Sequence, residues 1–245
     1  MFIIKVKEKS KLKKVGEWMG IYLNPGSAMF QKSLKSKIYV DKSGLLAILN
    51  ELVDTEQRYV CVSRPRRFGK SMAANMLAAY YGSSEDTSAL FASLEISQCA
   101  GYRDHLNQYD VLKINMQDFL SESQSIEDML AHLTACLIRD LKNGFPQIDF
   151  SYAKSLVSVM REVFAQTGRS FVILIDEWDC LFREYESNKE AQKQYLDFLR
   201  VWLKDKEYVG LAYMTGILPI KKYGSHSALN MFTEYSMTNP REMAG

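Results

Sequence analysis

The stretch that decides the fold reads Tyr59-Val-Cys-Val-Ser-Arg-Pro-Arg-Arg-Phe-Gly-Lys-Ser71. Its first four residues are β-branched, aromatic or apolar and predict a strand, whereas residues 63–69 predict a strongly basic turn. From Ser71 to about Tyr81 the chain is rich in Ala, Met and Leu, and Gly82 is typical of a helix end. The sequence therefore predicts a strand, a basic loop and a helix in direct succession.

Gly69, Lys70 and Ser71 lie where the strand turns into the helix, and each residue type suits a bound polyphosphate. Glycine lets the backbone approach the phosphates, and the following amide groups point at them from a helix N-terminus that favours anions. Lys70 would reach the β- and γ-phosphates, and the Ser71 hydroxyl would bind Mg²⁺. The usual phosphate-loop pattern has a glycine where this sequence has Arg64. Taken alone, the triplet is therefore a weak indication of a nucleotide site.

A second element, Phe171-Val-Ile-Leu-Ile-Asp-Glu177, lies further along the chain. Its apolar run is typical of a strand buried on both faces. We expect this strand to lie next to the strand that carries the basic loop, so that its carboxyl end brings Asp176 and Glu177 to the same crevice. Asp176 would hold Mg²⁺ there, and Glu177 would orient and deprotonate an attacking water. The alternative is that Asp176 starts a turn and Glu177 is a solvated acid at a helix start.

The rest of the chain alternates between short strands and longer helices. Further strands are predicted at 110–115 and 208–214, and helices at about 125–141, 152–166 and 189–204. Strands that alternate with helices of this length imply crossover connections and a parallel sheet. The expected fold class is therefore α/β, with a parallel sheet sandwiched by helices.

Composition excludes several classes of protein. The 245 residues are 47% hydrophobic and 24% charged, which provides for a core and excludes a disordered chain. The longest apolar run, residues 171–175, is far too short for a membrane helix, and the first residues become charged too early for a secretory signal. We therefore expect a cytoplasmic protein that does not contact a membrane.

Charge is unevenly distributed along the chain. Residues 1–42 contain ten lysines against Glu8, Glu17 and Asp41, a net charge of +7, which leaves −5 for the remainder because the total is +2. A basic segment of this kind neutralises phosphates in nucleic-acid binding, but such runs are more often solvated tails. We therefore treat residues 1–20 as a basic N-terminal arm, for which nucleic acid is one candidate partner, and residues 21–245 as the globular domain.

Four strings of the sequence together are similar to one known family. They are Tyr39-Val-Asp-Lys-Ser43, Ser63-Arg-Pro-Arg-Arg-Phe-Gly-Lys-Ser71, Ile173-Leu-Ile-Asp-Glu-Trp-Asp179 and Thr215-Gly-Ile-Leu-Pro-Ile-Lys221. The chain resembles the AAA-ATPase-like family over about residues 20–245. In that family arginine is the rule at the first position of the phosphate loop, so Arg64 is a match. A nuclease-like domain of the PD-(D/E)XK type often follows the family's ATPase domain.

The resemblance implies an AAA-like P-loop NTPase fold, truncated before its lid and C-terminal domain, and it implies roles for named residues. The residues that would bind nucleotide are Arg64, Pro65, Arg66, Arg67, Phe68, Gly69, Lys70, Ser71 and Met72. Ser71 and Asp176 would hold Mg²⁺, whereas Lys70, Glu177 and Thr215 would act in catalysis. Thr215 follows an adjacent strand, where a hydroxyl would sense the γ-phosphate or simply satisfy local backbone.

Together these features favour a domain that binds ATP and Mg²⁺, hydrolyses ATP slowly and is coupled to a missing C-terminal domain or an unknown protein partner. One alternative is a binding module that has lost hydrolysis and acts as an assembly switch. Another is a small-molecule kinase, which needs an acceptor site and a mobile arginine-rich lid. Residues 184–206 have mixed charge and predict a plain helix, which argues against the kinase.

Overall fold

The computed structural model describes residues 18–220 and 228–236, so most of the basic arm and Lys221 lie outside the described residues. Its centre is a five-stranded sheet of β1 (Tyr59–Ser63), β2 (Asp110–Asn115), β3 (Phe171–Asp176), β4 (Val209–Gly216) and β5 (Thr233–Ser236). The strand order is β2-β3-β4-β1-β5, and every neighbouring pair is parallel. The predicted α/β fold with a parallel sheet is confirmed.

Two helices precede β1, and the others lie in the connections from β1 to β4. They are α1 (Ala28–Leu34), α2 (Gly44–Asn50), α3 (Lys70–Tyr81), α4 (Ser88–Phe91), α5 (Tyr102–His105), α6 (Met116–Ser121), α7 (Ile126–Gly144), α8 (Leu156–Thr167), α9 (Cys180–Glu184) and α10 (Lys189–Leu203), with a 3₁₀ turn at Glu95–Gln98. Helix α8 begins later than the sequence pattern predicts, because Ser155 and Ser158 form a capping box that sets its first residue.

The order of the strands corrects one expectation. The acid-bearing β3 does not lie next to the loop-bearing β1, because β4 lies between them and pairs with both. Ala212 of β4 is opposite Tyr59 on one side and Ile173 on the other. All eight residues of β4 are buried, as a central strand covered on both faces requires. The carboxyl ends of β1 and β3 still lie at the same edge of the sheet, with the end of β4 between them.

Side chains alternate between two apolar cores, one on each face of the sheet. Val60, Val62, Val172 and Leu174 belong to the core that includes α3, and Cys61, Ile173 and Ile175 belong to the core of α7, α8 and α10, as strand geometry requires. Asp176 and Thr215 continue the first of these alternations and so lie on the α3 face. The molecule therefore has three layers, helix, sheet and helix. Among the helices of residues 18–220 and 228–236, none combines the length and apolar character needed to cross a membrane.

Two buried carboxylates hold the loop that follows β4. Asp179 is fully buried, and its Oδ2 accepts hydrogen bonds from the backbone N–H of Ile217 at 2.9 Å and of Leu218 at 2.7 Å. Oε1 of Glu234, on β5, accepts a hydrogen bond from the backbone N–H of Ile220 at 3.1 Å. These charge-assisted bonds fix the loop close to the carboxyl ends of the strands.

We predict that Asp179→Ala lowers the free energy of unfolding by about 1–3 kcal/mol, because two partly buried backbone N–H groups lose their acceptor. The matched control is Asp197→Ala, whose half-exposed carboxylate pairs with Arg200 on the surface of α10. That control should change stability by less than about 0.5 kcal/mol. Denaturant unfolding of the three proteins measures the difference, and equal midpoints for both variants would contradict the prediction.

Candidate functional site

The basic loop joins the end of β1 to the start of α3. Its first residue, Arg64, donates its backbone N–H to the carbonyl of Gly216 at 3.0 Å, so the loop begins beside the end of β4. Arg67 and Gly69 have φ angles of 68° and 78°, in the left-handed region that favours glycine. These two residues turn the backbone into the N-terminus of α3. The backbone N–H groups in the first turn of a helix have no partner within the helix and favour an anion.

Lys70 lies inside this turn of the backbone. It is only 8% exposed, and its Nζ donates hydrogen bonds to the carbonyls of Arg64 and Pro65, each at 3.1 Å. Both of these acceptors are neutral carbonyl oxygens. A Cβ placed on Gly69 would meet no heavy atom within 4 Å, which shows open space in front of the loop. The arrangement therefore fits a polyphosphate.

The other predicted loop residues differ in exposure. Pro65, Arg66, Arg67 and Phe68 are exposed, and Arg64 is half-buried. Ser71 and Met72, in the first turn of α3, are also exposed. Ser71 is thus accessible at the start of α3, as a ligand of a phosphate-bound metal ion would have to be.

Asp176 and Thr215 are in direct contact at the ends of β3 and β4. The Thr215 hydroxyl donates to Oδ1 of Asp176, which also accepts the backbone N–H of Glu177 at 3.1 Å. Both side chains are buried, Asp176 with 5% of its surface exposed. The structure therefore brings together two of the predicted site residues, and it places them on the face of the sheet that α3 covers.

Glu177 occupies an unusual position immediately after β3. Its φ angle is 54°, in the left-handed region, which is uncommon for a residue other than glycine. Its carboxylate does not contact the basic loop through any hydrogen bond or ion pair described in the structure. Instead, Oε2 forms an ion pair with the Arg183 guanidinium of α9. The predicted base is therefore at the expected strand end, but its carboxylate is engaged elsewhere.

Two charged residues near the acid pair were not predicted from the sequence. Lys113 is half-buried on β2 and lies opposite Leu174, which puts it on the same face of the sheet as Asp176. Burial lowers the pKa of the Lys113 ammonium, and the nearby carboxylates of Asp176 and Asp118 oppose this effect. The period-two alternation of residues 110–115 could have revealed Lys113. Arg183 left no such signal, because only the turn after β3 brings it back to Glu177.

An apolar pocket of about 340 Å³ opens beside the basic loop. Phe68, Gly69 and Met72 form one wall, and the segment that follows α1 supplies Ile38, Tyr39 and Val40. Phe68 and Met72 are 50% and 41% exposed, which leaves apolar surface available for contact. A mostly apolar cavity of this volume is typical of a small-molecule site. The segment that contains Tyr39 and Val40 therefore lies next to the basic loop.

Two carboxylate contacts fix the segment that forms this wall. The carboxylate of Asp41 accepts the backbone N–H of Ser43 and that of Glu95, both at 2.8 Å. The Ser43 hydroxyl in turn accepts the backbone N–H of Ile96 at 3.1 Å. The segment that forms this wall of the pocket is thereby attached to the 3₁₀ turn, which lies more than 50 residues further along the chain.

Comparisons with known proteins agree with this geometry. A family model described as "Predicted AAA-ATPase" matches residues 27–225. The chain is also 26% identical over 204 residues to an "Uncharacterized protein in vnfD 5'region" of Azotobacter chroococcum mcd 1. That alignment covers 81% of this chain and 37% of the relative, so the chain spans well under half of the relative's length. Because the family model covers most of the chain, including the basic loop, Asp176 and Thr215, the protein belongs to the predicted AAA-ATPase family.

Proposed function

We propose that this chain binds ATP together with Mg²⁺, hydrolyses it slowly and passes its nucleotide state to a further domain or a protein partner. The observation that carries the proposal is the meeting of the Lys70 loop, Asp176 and Thr215 at one edge of the sheet, where β4 joins the two halves of the site. Membership of the family supports nucleotide binding in general.

Phosphate binding would begin at Lys70. Its Nζ now donates to two neutral carbonyls, and exchanging them for phosphate oxygens replaces ordinary hydrogen bonds with charge-assisted ones. The exchange needs only a shift at the end of a flexible side chain. The N-terminus of α3 would add backbone donors and a favourable dipole to the same phosphates.

The pocket beside Phe68 would receive the nucleotide base. It lies next to Gly69, so a ligand whose phosphates occupy the loop would extend a planar apolar group between Phe68 and the Tyr39 segment. Aromatic and thioether side chains such as Phe68 and Met72 suit contact with a ring face. We therefore assign the base to this pocket and the phosphates to the loop.

Ser71 and Asp176 are the oxygen donors that fit Mg²⁺, a hard cation that prefers oxygen ligands and keeps several waters. Within the part of the chain that the structure describes, no group of three or more His, Cys, Asp or Glu side chains is arranged for a metal ion. Substrate phosphates would therefore complete the coordination, as is usual for this ion. When bound, Mg²⁺ would neutralise charge on the β- and γ-phosphates.

Glu177 would act as the base that accepts a proton from the attacking water. Thr215 would accept a hydrogen bond from the attacking water while its own O–H is donated to Asp176, and it would have to give up that bond in order to donate to the γ-phosphate. Lys113, on the same face of the sheet, supplies a further positive charge near Asp176. Hydrolysis of this kind depends mainly on positioning and electrostatic stabilisation, which these residues would provide.

One observation favours a second candidate function, a nucleotide-binding switch without hydrolysis. The Glu177 carboxylate is already held by Arg183, and a carboxylate engaged in an ion pair is a poor proton acceptor. In that case ATP would bind without release of phosphate. The two candidate functions differ in turnover and share the same binding site.

We predict that Lys70→Ala weakens binding of ATP and of inorganic tripolyphosphate at least about tenfold, because both ligands lose the same ammonium. Lys193→Ala, which removes an exposed lysine of α10, is the matched control and should bind both ligands like the unchanged protein. Isothermal titration calorimetry measures the six affinities, those of the unchanged protein and the two variants for each ligand. Unchanged ATP affinity in a folded Lys70→Ala protein would show that the loop does not bind nucleotide.

We predict that Phe68→Ala weakens ATP binding about tenfold, the loss expected when a base loses an aromatic contact, and leaves tripolyphosphate binding unchanged. Tyr152→Ala removes an aromatic side chain that is 93% exposed elsewhere and serves as the control. The same calorimetric titrations separate the base from the phosphates. Equal losses for both ligands would place the base outside the pocket.

We predict that Glu177→Gln retains ATP affinity and lowers phosphate release at least about a hundredfold, since an amide keeps the size of the carboxylate but accepts no proton. A coupled assay for inorganic phosphate measures turnover at saturating ATP. Release at the unchanged rate would remove Glu177 from the role of base. If the unchanged protein binds ATP and releases no phosphate, the switch without hydrolysis is the correct function.

A further inference from the structure

We propose that Arg183 is a positioning residue that holds the Glu177 carboxylate away from the reaction, and that hydrolysis begins when this guanidinium is released. The inference rests on the proposed function and adds how the same site is regulated. Arg183 was predicted neither from the sequence motifs nor from the roles of the phosphate-binding residues.

The ion pair between Arg183 and Glu177 is partly shielded from water. Nη2 of Arg183 contacts Oε2 of Glu177, and the two side chains are only 20% and 24% exposed. A half-buried charged pair is less weakened by solvent than a surface pair. Before Glu177 can accept a proton from water, its Oε2 must release Arg183. Otherwise its Oε1 must accept the proton while the positive guanidinium stays close to the carboxylate.

A second anion lies within reach of the same guanidinium. Nε of Arg183 is 3.6 Å from Oδ2 of Asp179, too long for a hydrogen bond but within an ion pair. Arg183 Nε and Asp179 Oδ1 are both buried and have no hydrogen-bond partner among the described residues. Buried polar atoms left in this state cost free energy, so a shift of the guanidinium toward Asp179 would be compensated by new bonds.

The two positions of Arg183 define two states of the site. In the state seen here, the guanidinium is bonded to Glu177 and only loosely paired with Asp179. In the other state, a bidentate ion pair between the Arg183 guanidinium and the Asp179 carboxylate would leave Glu177 free to bind water. Asp179 itself need not move, because the backbone N–H groups of Ile217 and Leu218 hold its Oδ2.

The backbone of the acid loop would remain in place during this exchange. Trp178 donates its N–H to the carbonyl of Thr215 at 3.1 Å, and Cys180 donates to the carbonyl of Glu177 at 3.0 Å. Glu177 thus keeps its left-handed conformation while its side chain changes partner. Only the side chains of Glu177 and Arg183 need to move, which makes the exchange fast relative to a slow chemical step.

Helix α9 is where a partner or a further domain would act on this pair. It has only five residues, and Glu184 at its end accepts a hydrogen bond from Gln117 of α6 at 2.6 Å on the exposed surface. A ligand that displaces α9 from α6 would carry Arg183 with it. The pair is therefore placed to transmit a surface event to the base.

The test compares ATP hydrolysis by the unchanged chain, Arg183→Gln, Arg183→Lys and the control Arg200→Gln, which breaks a surface ion pair on α10. We expect Arg183→Gln to raise kcat about three- to tenfold with the KM for ATP unchanged. Arg183→Lys keeps the positive charge but loses the planar guanidinium, and it should raise kcat less than Arg183→Gln does. Arg200→Gln should match the unchanged chain, and the rise must disappear in Arg183→Gln/Glu177→Gln.

The outcomes separate this inference from the proposed function. If the unchanged chain does not bind ATP in calorimetry, the proposed function fails and this inference fails with it. If ATP binds and kcat of Arg183→Gln is equal to or below that of the unchanged chain, only this inference is overturned. Should thermal melting show that Arg183→Gln is unfolded, Arg183→Lys decides: a raised kcat supports the inference and an equal or lower one overturns it.

Discussion

The hydrogen bonding of β4 on both of its edges is the constraint on which the candidate site depends. Because β4 pairs with β1 on one side and β3 on the other, the basic loop and the acids Asp176 and Glu177 are separated by the width of one strand. The end of β4 then fills that gap with Thr215, which bonds to Asp176, and with Gly216, whose carbonyl accepts the N–H of Arg64. Without the central strand, these groups would have no fixed relation to one another.

The buried charged groups around this edge of the sheet are held by hydrogen bonds within the chain. Lys70 is satisfied by carbonyls, Asp176 by a hydroxyl and a backbone N–H, and Asp179 by two backbone N–H groups. The partners of Lys70 and Asp176 are neutral groups, whereas Asp179 also lies within an ion pair of Arg183. Buried charged groups are costly for stability unless they are hydrogen-bonded or paired, and each of these three has such partners.

The site also combines two kinds of surface that meet at Gly69. One is polar and built on the ends of parallel strands, and the other is the apolar pocket between Phe68 and the segment after α1. A nucleotide has the same division between phosphates and base. Since Asp41 and Ser43 attach the apolar wall to the 3₁₀ turn, the pocket does not depend on the strand ends that carry the acids.

The sequence by itself determined the elements whose signals are local: the strands β1 to β4, the helices α3, α7, α8 and α10, the basic loop and the two acids at the end of β3. Residue type and periodicity decide these because neighbours in sequence are neighbours in space. Short α1 and α2 and the four-residue β5 were not predicted, since their stability comes from packing. Only the tertiary structure decided that β4 separates β1 from β3, that Thr215 bonds Asp176, that Arg183 pairs with Glu177 and that Ile38 and Phe68 line one pocket. Apart from the pair of Arg183 and Glu177, each of these contacts joins segments that are distant in sequence. Which segments meet is decided by the order of the strands, and that order depends on burying both faces of the sheet.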